Sequence, residues 1–381
     1  MTTSWGRIAF LYAIGVLAAA QLGIVPPLVP ELQRDLGLSL ATAGMTVSVV
    51  TLVGAVLGLP AGSWCERIGH GRALGIGILI MAAAAALCAA ADDAGTLLAA
   101  RGLAGIGYLL VVVAGPSLMA AIAAPRHHAF TLSLWGTFVP AGIALGGLAT
   151  AGFADRADWR TMFAVDVVLL ALALIVALLT VPPTSAPPHD GERLSIGALA
   201  SAAPLSVAFF CFALLFLALA GLLPAYLVER RGLAMAEAGR IVAIATAFGI
   251  TGSLLAGWLM RRGVSAGHLA ALGLIASTLV AALSFAAATP VPLAVAGFAI
   301  SFALGGLVPA AAFASVPMVA VSARAIGPIN GLLAQAGSLG SLAGPPLLAL
   351  WVEGAGWASA PLPLIAIAAV GAACALAVGR R

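Results

Sequence analysis

Apolar runs of about twenty residues or more, the length that crosses a bilayer as a helix, recur along this 381-residue chain from end to end. Short charged or Pro/Gly-containing breaks separate them. The pattern predicts twelve membrane-spanning helices over 8–29, 40–64, 72–91, 96–122, 129–153, 161–181, 204–228, 236–260, 268–288, 292–318, 326–351 and 357–378. Most connections are short. The longest, 182–203, carries Pro182-Pro183, Pro187-Pro188, Asp190, Glu192 and Arg193 near the middle of the chain. The expected organisation is a six-helix bundle over 1–181, a cytoplasmic linker over 182–203 and a second six-helix bundle over 204–381.

The chain also resembles itself. At an offset of 195 residues Leu32, Gly37, Leu38, Ala43 and Gly44 fall on Leu227, Gly232, Leu233, Ala238 and Gly239. Gly54, Gly58 and Gly62 fall on Gly249, Ser253 and Gly257, Arg67 falls on Arg262, and Gly136 and Gly142 meet Gly331 and Gly337. An even number of spans separates the copies, so the repeats run parallel, related by a pseudo-two-fold axis along the membrane normal. The repeated small residues, four apart on one helical face, permit close helix contact. They are read either as static seams or as contacts that slide when bundles rock.

Composition changes the picture chiefly by exclusion. Hydrophobic residues make up 63% of the chain and charged ones 8%, against roughly 25% charged in soluble domains; a water-soluble fold is excluded. All seventeen basic residues are arginine. They lie scattered among loops, form no patch, and give no nucleic-acid signal despite a net charge of +4. With both termini cytoplasmic, ten arginines fall on the cytoplasmic side and six on the other, in keeping with the positive-inside rule. The Ala- and Gly-rich, Lys-free composition fits a bacterial protein of the cytoplasmic (inner) membrane. Cys65, Cys88, Cys211 and Cys374 have no metal-ligand spacing. No H-E-x-x-H, G-x-S-x-G or G-K-[ST] motif is present, which argues against an enzyme and against ATP-driven pumping; no cofactor or metal is expected.

The end of span 2 reads Gly62-Ser-Trp-Cys-Glu66-Arg67-Ile-Gly69-His70-Gly71-Arg72. It resembles the loop 2–3 signature of the major facilitator superfamily, G-x-x-x-D-R-x-G-R-[RK]-[RK]. Gly62, Arg67, Gly69 and Arg72 match; Glu66 stands for Asp, and His70 and Gly71 stand for basic residues. In span 4, Arg101-Gly-Leu-Ala-Gly105-Ile-Gly107 resembles the family's R-x-x-Q-G-x-G with Ala104 in place of Gln. The resemblance implies two six-helix bundles opening alternately around a central cavity. It also implies a cytoplasmic latch, in which Glu66 and the nearby arginines bridge helix ends and favour the outward-open state. The alternative for Arg67 and Arg72 is a plain topology anchor.

Ionisable residues inside the hydrocarbon are functional candidates by default. Arg101 lies about five residues into span 4 and Asp166 a similar distance into span 6, roughly 7–8 Å below the helix ends. Arg101 is a candidate ligand for an anionic substrate or a structural partner for an acid; Asp166 is a candidate coupling residue or a hydrated one. Depth in the spans adds Gln21, Tyr108, Trp135, Phe302 and Gln335 as candidate substrate contacts, the two amides first because an amide in lipid is costly. Pro26-Pro27-Pro30, Pro116, Pro140, Pro309 and Gly344-Pro345-Pro346 suggest bends that shape gates. The expected function is secondary active transport of a small organic solute, an anionic or polar one favoured by Arg101, with protons as the expected coupling ion, by a monomer in the lipid bilayer. Two alternatives stay open: a proton-driven multidrug exporter of the same fold, and a membrane sensor without transport.

Overall fold

The computed structural model describes residues 3–38, 40–153, 158–181, 196–233, 235–286, 288–320 and 325–378. Helices account for nearly all of them, because in a bilayer a backbone must satisfy its own hydrogen bonds. In chain order they are α1 (Trp5–Leu36), α2 (Leu40–Ile68), α3 (His70–Ala89), α4 (Ala94–Ile122), α5 (His128–Trp135), α6 (Phe138–Phe153) and α7 (Trp159–Thr180). They continue as α8 (Ile196–Arg231), α9 (Met235–Ala247), α10 (Gly249–Arg261), α11 (Ala266–Phe285), α12 (Val291–Gly305), α13 (Leu307–Val319), α14 (Ile326–Ala355) and α15 (Pro361–Val378).

The pairs α5–α6, α9–α10 and α12–α13 are each one expected span, interrupted. Two of the interruptions sit where proline dictates. Pro140 and Pro309 have no N–H to offer the carbonyl four residues earlier, and the helices break at Gly136-Thr137 and at Gly306. Joined across these breaks, the segments make the twelve expected rods. Eleven are apolar enough to cross a membrane on hydropathy alone. The twelfth, α14, has 30 residues, about 45 Å of helix, but Asn330, Gln335, Ser338 and Ser341 dilute its hydropathy.

The internal repeat is visible in the backbone. Gly37 ends α1 at φ 62° and Gly232 ends α8 at φ 68°, 195 residues apart and both left-handed. Beyond α8 the N–H of Gly232 donates to Val228 O and that of Leu233 to Leu227 O, the paired bonds of a glycine-terminated helix. Gly69 (φ 86°) and Gly263 (φ 89°) turn the chain into α3 and α11, a conformation that favours glycine. Tryptophans staple corresponding helix ends. Trp159 Nε1 donates to Asp35 at 3.0 Å, and Trp357 Nε1 to Glu229 at 2.8 Å. Arginines cap the carbonyl ends of spans 3 and 9: Arg160 donates to Ala91 O, and Arg231 to Ser284 O and Ala286 O. At the start of α4 the N–H and hydroxyl of Thr96 hold the exposed Asp93 carboxyl below the usual carboxylate range.

The chain forms two compact units. The first comprises Met1–Pro125, Phe138–Leu194 and Arg324–Gln335; the second comprises Arg126–Thr137, Ser195–Ala323 and Ala336–Arg381. They follow the sequence halves except in two places. The first part of span 5 packs with the second half, and the first part of span 11 packs with the first half. Of the expected linker, 182–195 lies outside the described residues, as do Arg193 and Arg324, while 196–203 forms the opening turns of α8.

Packing is tight where glycine lies opposite backbone. A Cβ on Gly252 of α10 would collide with the Ala303 carbonyl of α12, whereas one on Gly239 would meet nothing within 4 Å. Gly252→Leu is therefore expected to cost about 1–3 kcal/mol and lower the melting temperature in detergent. Gly239→Ala should be neutral or stabilising by up to about 1 kcal/mol.

Candidate functional site

The first unit buries a guanidinium completely. Arg101, on α4, has 0% exposure. Its Nε donates to Thr46 O of α2 at 2.9 Å, Nη2 to Gln21 O of α1 at 2.7 Å, and Nη1 to Gln21 Oε1 at 3.3 Å. One side chain thus ties α4 to both α1 and α2. The Gln21 amide, 1% exposed, turns its Nε2 the other way and donates to Asp166 Oδ2 of α7. Among the described residues no direct ion pair joins Arg101 to Asp166. The neutral amide stands between them, and the carboxylate is 3% exposed.

Three residues that sequence depth singled out separately are therefore one hydrogen-bonded unit. What sequence reasoning missed is the Thr46 carbonyl, which no side-chain pattern signals, since its role comes from where the backbone of α2 passes. The placement also bears on how these groups can act. Three donor nitrogens of Arg101 are taken by protein oxygens, as a buried charge requires.

The second cluster lies where α2 meets the start of α14, also within the first unit. A Cβ on Gly62 would meet Pro328 Cα at 2.7 Å and the Gly327 carbonyl oxygen at 2.6 Å; one on Gly331 would meet Gly62 Cα at 2.8 Å. The pair Gly58-x3-Gly62 on α2 thus faces Gly327-x3-Gly331 on α14, a second small-residue pair that the sequence displays and the offset comparison passed over. Polar groups close the contact. Glu66 Oε1 accepts the N–H of Gly327 at 2.9 Å, placing the carboxylate at the first turn of α14. Gln335 donates to Ala55 O at 2.9 Å and accepts the Leu59 N–H at 3.2 Å, while Asn330 Nδ2 donates to Ser117 Oγ of α4 at 3.0 Å.

Of the other loop-signature residues, Gly69 makes the turn into α3, and Arg67 and Arg72 are exposed. His70 Nε2 lies 3.7 Å from Glu66 Oε1, buried and, among the described residues, without a hydrogen-bond partner. The second unit holds the corresponding seam. Ser253 Oγ donates to Gly306 O at 2.7 Å, a Cβ on Gly257 would strike Ser133 of α5, and the Arg261 guanidinium lies 5.4 Å from the Phe130 ring.

Of the remaining candidates, one lies in the first unit and two in the second. Tyr108 packs on Val50, Ala84 and Ala104 in the first unit. Trp135, in the second unit, has 0% exposure. Phe302, 3% exposed, packs edge-on against Phe216 at 5.4 Å; Phe216, Phe212 and Phe209 follow one another along α8 at 5.6 and 5.8 Å.

The arrangement predicts how Arg101 responds to substitution. Arg101→Met removes the side-chain donor to the Thr46 and Gln21 carbonyls and leaves the Asp166 charge without the Arg101 cation. A loss of about 3–5 kcal/mol is expected, read as a lowered melting temperature. The double variant Arg101→Met/Asp166→Asn should recover part of it.

The Major Facilitator Superfamily profile matches residues 11–345. The chain is similar, at 30% identity over 179 residues, to the methylenomycin A resistance protein of Bacillus subtilis, a match covering 46% of this chain and 38% of that protein. It is 31% identical over 193 residues to the multidrug efflux pump LfrA of Mycolicibacterium smegmatis, covering 50% and 38% of the two chains. The matches thus span well under half the length of these curated relatives. Among solved structures, the E. coli fucose:proton symporter FucP shares the fold at a TM-score of 0.77, with 16% identity over 98% of this chain and 99% of that one. The human organic anion transporter MFSD10 does so at 0.77, with 17% identity over 97% and 98%. With its profile match across most of its length, this chain belongs to the Major Facilitator Superfamily of membrane transporters.

Proposed function

We propose that this transporter is a proton-coupled exporter of small, largely apolar organic compounds across the bacterial cytoplasmic membrane, with both termini on the cytoplasmic side. The observation that carries the reading is Asp166, a carboxylate buried inside the first unit and held by an amide rather than by a direct ion pair. A carboxylate in such a place can exchange charge for neutrality by taking up one proton, which is what coupling to a proton gradient requires. Export is supported by the resistance and efflux functions named for the relatives above. Arg101, the reason to favour an anionic solute, has its donors engaged by Thr46 and Gln21, which moves the preference toward neutral or cationic cargo.

The α2–α14 contact is the latch of this cycle. Glu66 at the first turn of α14 and the facing glycine pairs hold the cytoplasmic ends of these helices together, and cytoplasmic opening separates them. Contacts worth a kcal/mol or so suffice to bias such a two-state equilibrium. Glu66→Ala is expected to slow transport several-fold without loss of expression or membrane insertion. Glu66→Gln, which still accepts the Gly327 N–H, should be affected less. An unchanged rate in Glu66→Ala would remove the latch from the account.

Coupling is tested in proteoliposomes with an imposed pH gradient and a panel of lipophilic cations, neutral antibiotics and organic anions. Gradient-driven accumulation of at least one cation or neutral compound is expected, lost in Asp166→Asn while exchange of the same compound down its own gradient persists. Undiminished gradient-driven accumulation in Asp166→Asn would place coupling elsewhere.

A further inference from the structure

We infer that Gln21 is a positioning residue that keeps Asp166 and Arg101 from forming a direct ion pair and so leaves Asp166 free to bind and release a proton. The inference rests on the coupling reading above. Both ends of the Gln21 side chain are engaged: its oxygen accepts from Arg101 Nη1 and its nitrogen donates to Asp166 Oδ2. An amide is the uncharged side chain that can serve a cation and an anion at once, accepting from one and donating to the other.

The spacing matters because attraction between opposite charges rises steeply at short range in a dry interior. A carboxylate in contact with Arg101 would stay ionised through the cycle, and a carboxylate alone in the bundle would stay protonated. The amide gives an intermediate condition. It also transmits the state of the acid. When Asp166 takes up a proton, its O–H needs an acceptor, which Gln21 supplies by turning its amide end for end. That turn withdraws Oε1 from Arg101 Nη1, leaving the guanidinium held by Thr46 O on α2 and Gln21 O on α1. A proton on α7 is thereby felt at the residue that ties α4 to α1 and α2.

Among the described residues, two charged or titratable groups interact with Asp166. From α4 there is Arg101 and from α3 the Cys88 thiol, both close enough to interact with Asp166 electrostatically. From α1 the facing group is Gln21 itself.

The test requires no substrate. Infrared difference spectra of the full chain in lipid, titrated from about pH 5 to about pH 9, report protonation of a buried carboxyl group through its carbonyl band. The wild type is expected to show such a band, absent in Asp166→Asn. Gln21→Leu keeps the spacing and removes the hydrogen bond; Gln21→Ala removes both and lets the ion pair close. The midpoints of these two variants should move in opposite directions, each by a tenfold change in proton affinity or more. Melting curves and Arg101-dependent stability verify that the variants fold; if Gln21→Ala does not, Gln21→Val, also without an amide and too short to hold the two charges apart, replaces it. Midpoints unchanged from wild type, or shifted together in one direction, would overturn the inference and leave the coupling role of Asp166 standing. A wild-type titration with no band assignable to Asp166 would overturn both.

Discussion

Backbone contact between α2 and the first turns of α14 is the constraint on which the rest of the account depends. It exists because Gly58 and Gly62 face Gly327 and Gly331, where a Cβ on Gly62 or Gly331 would meet backbone atoms at under 3 Å. In lipid, where burial of apolar surface gives helices no reason to associate, close packing and hydrogen bonds supply the attraction. Both are present: van der Waals contact along the glycines, and polar links through Glu66 and Gln335. The same contact explains why the compact units do not follow the halves of the sequence, since 324–335 packs with the first unit. Its counterpart in the second unit joins Gly257 to Ser133 on α5, and 126–137 goes with that unit. Each seam is narrow and built of small side chains, so separating it leaves few large apolar groups exposed.

A second constraint governs the interior of the first unit. Arg101 has no access to water, and each of its three bonded nitrogens finds a protein oxygen. A carboxylate directly beside it would satisfy its charge but would be fixed in one ionisation state. The intervening amide trades some of that electrostatic stabilisation for the ability to titrate, at a place where α1, α2, α4 and α7 converge. Stability and function thus draw on the same few polar groups, the usual situation for charge inside a bilayer.

Much of the fold was legible in the sequence because lipid imposes a simple code. Apolar length gave the rods, and the constant offset gave the repeat, down to Gly37 and Gly232 with matching left-handed φ. Of the prolines expected to bend spans, Pro140 and Pro309 sit at two of the three mid-span breaks, whereas Pro26, Pro27 and Pro30 lie inside the uninterrupted α1, Pro116 inside α4 and Pro345-Pro346 inside α14; the break at Phe248 carries no proline. α8 begins eight residues before the expected span, in what reads as linker, and Pro204 is accommodated inside the helix. At the candidate site, Gln21, Arg101 and Asp166 stood out as polar residues in apolar runs, but their mutual contact did not. It depends on how helices distant in sequence are rotated about their axes, which in weakly amphipathic membrane helices leaves almost no trace. The Glu66–Gly327 bond was foreshadowed by the loop signature in its acid, whereas its backbone donor belongs to the geometry of α14.

The most direct measurement uses a native residue. Cys65 is 0% exposed and lies three residues after Gly62, on the same side of α2, so separation of that side from α14 is expected to expose its thiol. In a variant whose other three cysteines are replaced by alanine, a membrane-impermeant maleimide applied from the cytoplasmic face should label Cys65 slowly at rest. Labelling should accelerate several-fold during gradient-driven turnover, and in Glu66→Ala without turnover. A Cys65 that stays equally unreactive in all three conditions would contradict the account, because the contact would then be a fixed part of the structure and not a moving one.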